Sequence, residues 1–309
     1  MIYTVIGTGA IGGYYGAKLA FSGNEVHFLL HSDYEYVKAN GLYVKSYDGN
    51  FSLPCVNAHC STEDIPKSDV VIVALKSVNN GLLKTLLPPI LKEETIVLLI
   101  QNGIGVEEDL QREFPRLQIA AGLAFICSAK TEPGIINHQF YGSINIGNYS
   151  CNDTERFERM VTDMTNAGIK TAKVEYHEAR WKKAVWNMPF NGMTVAMNAQ
   201  TNELLEHLPT RELIRKQMLE VIGAAQALGV KNIDTSFADK MIESTLNMVP
   251  YSPSMKLDYD FHRPMEIYYL YTRPIEEARK VGFTMPCLSM LETELKFIEQ
   301  SRCKTKTKE

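Results

Sequence analysis

The chain has 309 residues, 45% hydrophobic and 22% charged, which is enough for two domains with separate cores. Its 32 lysines and arginines against 36 aspartates and glutamates leave a net charge of −4, which excludes the broad basic surface of a nucleic-acid binder. The longest apolar runs, such as Ile96-Val97-Leu98-Leu99-Ile100, are far too short to span a bilayer, and nothing precedes the first strand to serve as a signal peptide.

Residues 2–6 read as a buried parallel strand that runs into Gly7-Thr8-Gly9-Ala10-Ile11-Gly12, a G-x-G-x-x-G pattern. Gly7 allows the tight turn, Gly9 lets backbone approach a pyrophosphate, and Gly12 lets the next helix sit close to the sheet. That helix covers 10–22 and ends at Ser22-Gly23. Its N-terminus offers N–H groups and a positive dipole end to phosphates. A second strand covers 25–30, so the motif sits in strand–turn–helix–strand context. A helix near 33–40 follows, with Asp33 as its N-cap and Asn40-Gly41 at its end. Short strands are expected at 42–46 and 51–55. Central parallel strands are expected at 69–75 and 95–100, joined by a crossover helix over 79–87 that Pro88-Pro89 closes. Strands at 118–126, 135–140, 143–147 and 170–175 and a helix at 153–167 complete residues 1–175. The fold class is α/β, a Rossmann-type doubly wound domain with antiparallel additions.

From residue 176 to 309 the pattern is helical throughout: 177–198, 201–207, 210–228, 234–247, 262–281 and 286–300. A nucleotide domain followed by an all-helical domain suggests an active site in a cleft between them. The end, 301–309, reads as a polar, frayed tail. Six cysteines, at 55, 60, 127, 151, 287 and 303, form no C-x-x-C pair and fit reduced thiols in the cytoplasm. Cys55, His59 and Cys60 match no zinc spacing, so no metal is expected.

Ligands of an open α/β sheet sit beyond the carboxyl ends of its strands. There the chain places Lys76-Ser77 and Gln101-Asn102-Gly103-Ile104-Gly105. Taken singly, the lysine also reads as a surface residue and the Asn-Gly as a turn. The second strand ends in Leu30-His31-Ser32-Asp33, with no carboxylate at the strand end itself. His31 and Ser32 offer donors for a 2′-phosphate, which leans the reading to NADP(H). In the helical half, Lys183, Asn187 and Asn191 recur every four residues among Trp186, Met188, Phe190 and Val195. That spacing lines them along one helix face, as a polar stripe toward something polar or as a solvated surface. Pro189 removes one intrahelical hydrogen bond and is expected to bend the helix.

These separated motifs, in order from residue 1 to about 290, resemble the ketopantoate reductase family. The resemblance rests on Gly7–Gly13, Lys76, Asn102-Gly103, the run Trp181–Lys183–Asn187–Asn191, the Pro253-Ser254-Met255 stretch, and Glu266 twelve positions after Ser254. It implies NADPH-dependent reduction of 2-dehydropantoate to pantoate, on the route to coenzyme A. It implies Lys183 as general acid and Asn187, Asn191 and Ser254 as substrate-holding groups. Asn102 would touch substrate and cofactor, and Lys76 and Glu266 would place the nicotinamide ribose. Gly7, Thr8, Gly9, Ala10, Ile11, Gly12 and His31 would bind the rest of the cofactor. The sequence departs from the family pattern at His31, usually Arg, and at Asn191-Gly192, usually Asn-Pro. A glycine of the family lies near Tyr271. The family's N-G-E-L reads Thr201-Asn202-Glu203-Leu204 here, and either Thr201 or Asn202 is the candidate ligand contact. Ser128–Thr131 aligns with a segment that covers the adenine or nicotinamide. These departures leave room for a different 2-oxo acid. A non-catalytic NADP-binding regulator is the rival from another class, and it has no use for a proton donor such as Lys183. The apolar residues of 210–228 are candidates for a homodimer face or for core.

Overall fold

A computed structural model of the chain describes residues 1–306 apart from 249 and 251, with side chains as far as Arg302. Two compact units divide it: Met1–Gln101 with Val106–Tyr176, and Asn102–Gly105 with His177–Glu309.

The first unit contains β1 (Ile2–Ile6), α1 (Ala10–Phe21), β2 (Glu25–Leu29), α2 (Tyr34–Asn40), β3 (Leu42–Ser46), β4 (Phe51–Leu53), β5 (Asn57–His59), β6 (Val70–Val73), α3 (Leu83–Leu86), β7 (Ile96–Leu99), α4 (Val106–Glu113), β8 (Gln118–Glu132), β9 (Ile135–Asn148), α5 (Thr154–Asn166) and β10 (Thr171–Val174). One sheet takes the order β4-β3-β9-β8-β7-β6-β1-β2-β5, with β10 also on β9. From β8 to β5 every pairing is parallel, and β9 returns antiparallel on β8. β6 and β7 are buried at every residue, as their unbroken β-branched and leucine runs require of a sheet covered on both faces. This is the Rossmann-type arrangement with a mixed edge.

Several elements differ from the sequence expectation. The strands expected at 135–140 and 143–147 are one, β9, bent where Tyr141 (φ 66°) and Gly142 (φ 110°) form a bulge opposite Phe125 and Ile126. β8 continues beyond 126 to Glu132 because the returning strand keeps it paired. The crossover is one α-helical turn between two 3₁₀ turns, Ser77–Leu82 and Pro88–Ile90, since Asn79-Asn80-Gly81 propagates a helix poorly. β5 and α4 had no clear pattern: β5 is three polar-flanked residues on the sheet edge, and α4 is eight residues rich in acid.

The second unit contains α6 (Tyr176–Ala196), α7 (Thr201–Glu206), α8 (Leu208–Ala227), α9 (Ser236–Leu246), α10 (Ser254–Asp260), a π-helical turn (Tyr268–Thr272), α11 (Arg273–Lys280) and α12 (Pro286–Lys306). Its core gathers Trp181, Val185, Met188, Phe190, Met218, Val221, Leu288 and Leu295. Ile214, Met218, Val221 and Ile222 are at most 1% exposed, so the apolar face of 210–228 is core. α6 remains one helix through Pro189. The helix expected over 262–281 begins only at the π turn, and α10 precedes it. The tail expected to fray from 301 stays helical to Lys306. Arg302 holds it by pairing with Glu299, stacking over the Tyr259 ring at 4.8 Å, and donating to Asp258 O. Residues 307–309 lie outside the described residues. Among the described residues no helix is long and apolar enough to cross a membrane.

Candidate active site

Backbone builds the feature in the first unit. Gly7 has φ +93°, and a Cβ there would lie 2.6 Å from Leu75 N, so no other residue fits without a shift. A Cβ on Gly12 would lie 2.4 Å from Gly7 O, which is the close packing the motif demands. A Cβ on Gly9 would meet nothing within 4 Å, so this stretch of backbone faces open space. Gly9 N–H donates to Gly7 O at 2.7 Å and closes the turn. Ala10 and Ile11 open α1, twelve residues long, whose N-terminal N–H groups lie beside that open stretch. The turn therefore fits the pyrophosphate of a dinucleotide.

The turn is also held from behind. Thr8 is buried, and its hydroxyl donates to Leu29 O, the last residue of β2, at 2.9 Å. Thr8 O accepts from Lys130 Nζ at 2.9 Å, and Ala10 O from the Ser128 hydroxyl at 3.4 Å. Ser128–Thr131 thus lies against the glycine turn. His31 and Ser32 are exposed at the end of β2. Asp33 precedes α2 but its side chain makes no N-cap bond. The carboxylate instead pairs with Lys130 and accepts from Gly134 N, because a long-range cation outcompetes the local cap. Lys76, half-buried, stands just past β6 and begins the 3₁₀ turn at Ser77.

Side chains build the feature in the second unit. A recess there is lined by Gly103, Ile104, Arg180, Lys183, Asn187 and Tyr269, among others. Its loop is fixed by backbone: Gly103 has φ +105°, a Cβ on it would lie 2.6 Å from Tyr269 O, and Ile104 N donates to Tyr269 O at 2.9 Å. Asn102, half-buried, opens that loop. Lys183 retains some surface as a residue, but its ammonium is enclosed by protein. Its pKa is pushed down to about 7, first by burial and then by the neighbouring Arg180 charge, with buried Glu266 opposing the fall.

The polar stripe of α6 is real and turned inward: Asn187 is 8% exposed and Asn191 2%. Asn187 lines the recess with Lys183. Asn191 donates to Asn187 O at 2.9 Å, while its Oδ1 accepts from Met255 N at 3.0 Å and from the Ser254 hydroxyl at 3.4 Å. Asn191 and Ser254 are therefore brought together, and Asn191 also anchors the start of α10. Thr201 is buried at the head of α7. Asn202 is half-buried, and its Oδ1 has no hydrogen-bond partner among the described residues.

Sequence reasoning missed Arg180 and Tyr269. Arg180, only 3% exposed, precedes Lys183 by three residues, so extending the stripe one turn backward would have found it. Tyr269 carries no local signal. The two departures at Gly192 and Tyr271 explain each other. A Cβ on Gly192 would lie 2.6 Å from the Tyr271 hydroxyl, which donates to Met188 O at 2.5 Å. The glycine makes room for a buried tyrosine that takes a helix carbonyl as its partner.

A Rossmann-type dinucleotide turn in one unit, and a lysine brought near neutrality in the other, define an oxidoreductase with a nucleotide-binding fold. The model described as ketopantoate reductase PanE/ApbA matches residues 3–150, and its C-terminal counterpart matches residues 175–299. The chain belongs to the ketopantoate reductase family. A 2-dehydropantoate 2-reductase of Nostoc sp. is 46% identical, over 96% of this chain and 95% of its own. Among solved structures, the 2-dehydropantoate 2-reductase of Geobacter metallireducens GS-15 superposes with a TM-score of 0.92 at 39% identity, covering 96% of this chain and 99% of that one. That of Methylococcus capsulatus gives a TM-score of 0.90 at 32% identity, covering 98% of each chain.

Proposed function

We propose that the chain reduces 2-dehydropantoate to pantoate with NADPH, the step that leads toward pantothenate and coenzyme A. The observation that carries this reading is Lys183, an enclosed ammonium with a pKa near 7 in a recess shared with Asn187 and Arg180. A dihydronicotinamide, when bound, would supply the hydride. The chain's own residues do the rest. Reduction of a ketone leaves an alkoxide, which must receive one proton to become the hydroxyl. Lys183 Nζ is the donor, and a pKa close to ambient pH suits that transfer in both directions. Asn187, Asn191 and Ser254 hold the carboxylate and hydroxyl of the substrate, and Asn102 reaches both substrate and cofactor. Lys76 and Glu266 place the nicotinamide ribose, with Glu266 also opposing the fall of the Lys183 pKa. Gly7, Thr8, Gly9, Ala10, Ile11 and Gly12 hold the pyrophosphate, and His31 lies toward the adenosine ribose.

The domain division belongs to the same reading: residues 1–175 bind the dinucleotide and 176–309 carry substrate and catalysis. Among the described residues no disulfide joins Cys55, Cys60, Cys127, Cys151 or Cys287, which suits the cytoplasm. A homodimer is the expected assembly. Met290 and Phe297, seven residues apart on α12 and 66% and 70% exposed, are apolar groups a second copy would cover; mass in solution checks it. The main test is NADPH oxidation with 2-dehydropantoate and a panel of other 2-oxo acids, in wild type and Lys183→Ala. Turnover of 2-dehydropantoate that the alanine variant loses supports the reading. Turnover of another acid alone removes the named substrate, and full kcat in the variant removes Lys183 as the donor.

A further inference from the structure

At the corner where the glycine turn meets the end of β2, three groups 8 to 130 in the sequence converge. Thr8 is bonded to Leu29 O through its hydroxyl, and its own carbonyl takes Lys130 Nζ. The same ammonium pairs with Asp33, the carboxylate that follows the end of β2. Asp33 is 7% exposed, whereas the Lys130 side chain keeps 25% of its surface. Asp33 is thus the more deeply buried partner of a pair whose lysine side chain keeps part of its surface.

This corner is where a dinucleotide's adenosine ribose sits in a Rossmann-type unit, and the charge found there decides which ribose is accepted. A free carboxylate accepts from the two ribose hydroxyls and repels a 2′-phosphate. A cation does the reverse. The stretch His31-Ser32 offers donors but no fixed charge of the arginine type. We propose that Lys130 determines cofactor preference by sequestering Asp33 and presenting the positive charge toward the 2′-phosphate, acting from β8 in place of a cation at position 31. The inference deepens the NADPH part of the proposed function and rests on it for the ligand.

Lys130 is suited to the task by its strand. Ser128 and Lys130 lie two apart in an unbroken register of β8, opposite His138 and Ile136, so both point to one face. Both bond carbonyls of the turn, Ala10 and Thr8. Because a trans peptide sets its N–H opposite its carbonyl, the pair also fixes the directions of the Gly9 and Ile11 N–H groups. Lys130 therefore couples the charge of the ribose corner to the geometry of the phosphate turn. Gly134 N, donating to Asp33 at 3.3 Å, keeps the carboxylate in place from the hairpin's own end.

The test is calorimetric titration of the whole chain with adenosine 2′,5′-bisphosphate and with 5′-AMP, which need no catalysis. The readout is the ratio of the two Kd values, with NADPH and NADH KM values beside it. Lys130→Met should cut the Kd ratio that favours the 2′-phosphate at least tenfold, with 5′-AMP weakened by less than the bisphosphate because the turn also loosens. Lys130→Arg should keep the ratio, and Asp33→Asn should raise it. If Lys130→Met weakens both ligands equally, the lysine only props the turn and the proposal falls. Should Lys130→Met not fold, Asp33→Asn and Lys130→Arg decide, and a ratio that falls in Asp33→Asn overturns the proposal. A wild type without preference for the bisphosphate defeats the NADPH reading by itself; a shift of the ratio in Lys130→Met would then still uphold Lys130 as its determinant.

Discussion

The glycine turn of the first unit and the lysine recess of the second do their work with different parts of the chain. The turn uses backbone: Gly7, Gly9 and Gly12 matter for the Cβ atoms they lack. The recess uses side chains whose environment changes their chemistry, above all Lys183. A backbone site is set by local geometry and fails when atoms are added. A side-chain site is set by neighbours far apart in sequence and fails when a charge or donor is removed. Substitutions should therefore sort by which kind of site they touch.

The largest effect is expected in the recess. Lys183→Met should lower kcat by about 10²–10⁴-fold while leaving NADPH binding by fluorescence titration nearly intact. A loss confined to KM would erase the distinction between the two sites.

Within the turn, Gly9 and Gly12 should part company. Gly12→Ala drives a Cβ to 2.4 Å from Gly7 O and 2.9 Å from the Ala74 side chain, and should cost about 1–3 kcal/mol in urea unfolding. Gly9→Ala meets no protein atom within 4 Å, at a backbone φ of −89° that alanine tolerates. It should unfold like wild type and bind NADPH at least about tenfold more weakly, a loss of about 1.4 kcal/mol. Equal destabilisation by the two would mean that the open side of Gly9 is not where the cofactor approaches.

Gly192→Ala brings a Cβ to 2.6 Å from the Tyr271 hydroxyl and Leu291. Overpacking costs of about 1–3 kcal/mol outweigh the roughly 1 kcal/mol that alanine gains over glycine in a helix. A net loss near 1 kcal/mol is expected in thermal unfolding, and Tyr271→Phe in the same chain should recover part of it. Additive losses would show that Gly192 and Tyr271 are not coupled.

A smaller effect is a pH slope. Lys183 is lowered in the folded chain to about 7 from the ordinary lysine value of 10.5, so between those pH values the unfolded chain holds the extra proton. Stability should then rise with pH across that window, and the contribution should disappear in Lys183→Met. An identical slope in the variant would place the titration elsewhere.

The same contrast explains what could be read from the sequence. The turn was legible in full, because glycines at fixed offsets between a strand and a helix state the geometry locally. The α6 stripe was legible as a stripe, since helical period alone aligns Lys183, Asn187 and Asn191. What it faced was not, because Gly103 and Tyr269 reach the recess through non-local packing. Asp33 looked like a helix cap, since nothing nearby announces a lysine 97 positions later as its partner. β8 was cut short at 126 for the same reason: its last residues are strand only because β9 pairs with them. The buried tyrosine at 271 looked like a departure from pattern until Gly192 supplied its space.

The pH dependence of kcat/KM for NADPH-driven reduction of 2-dehydropantoate tests the proton-donor role of Lys183 most directly. With Lys183 as donor, the rate should hold at acid pH and fall about tenfold per pH unit above a pKa near 7. The small residual rate of Lys183→Met should lack that limb. A wild-type profile level to about pH 9, or the same falling limb in the variant, would contradict it.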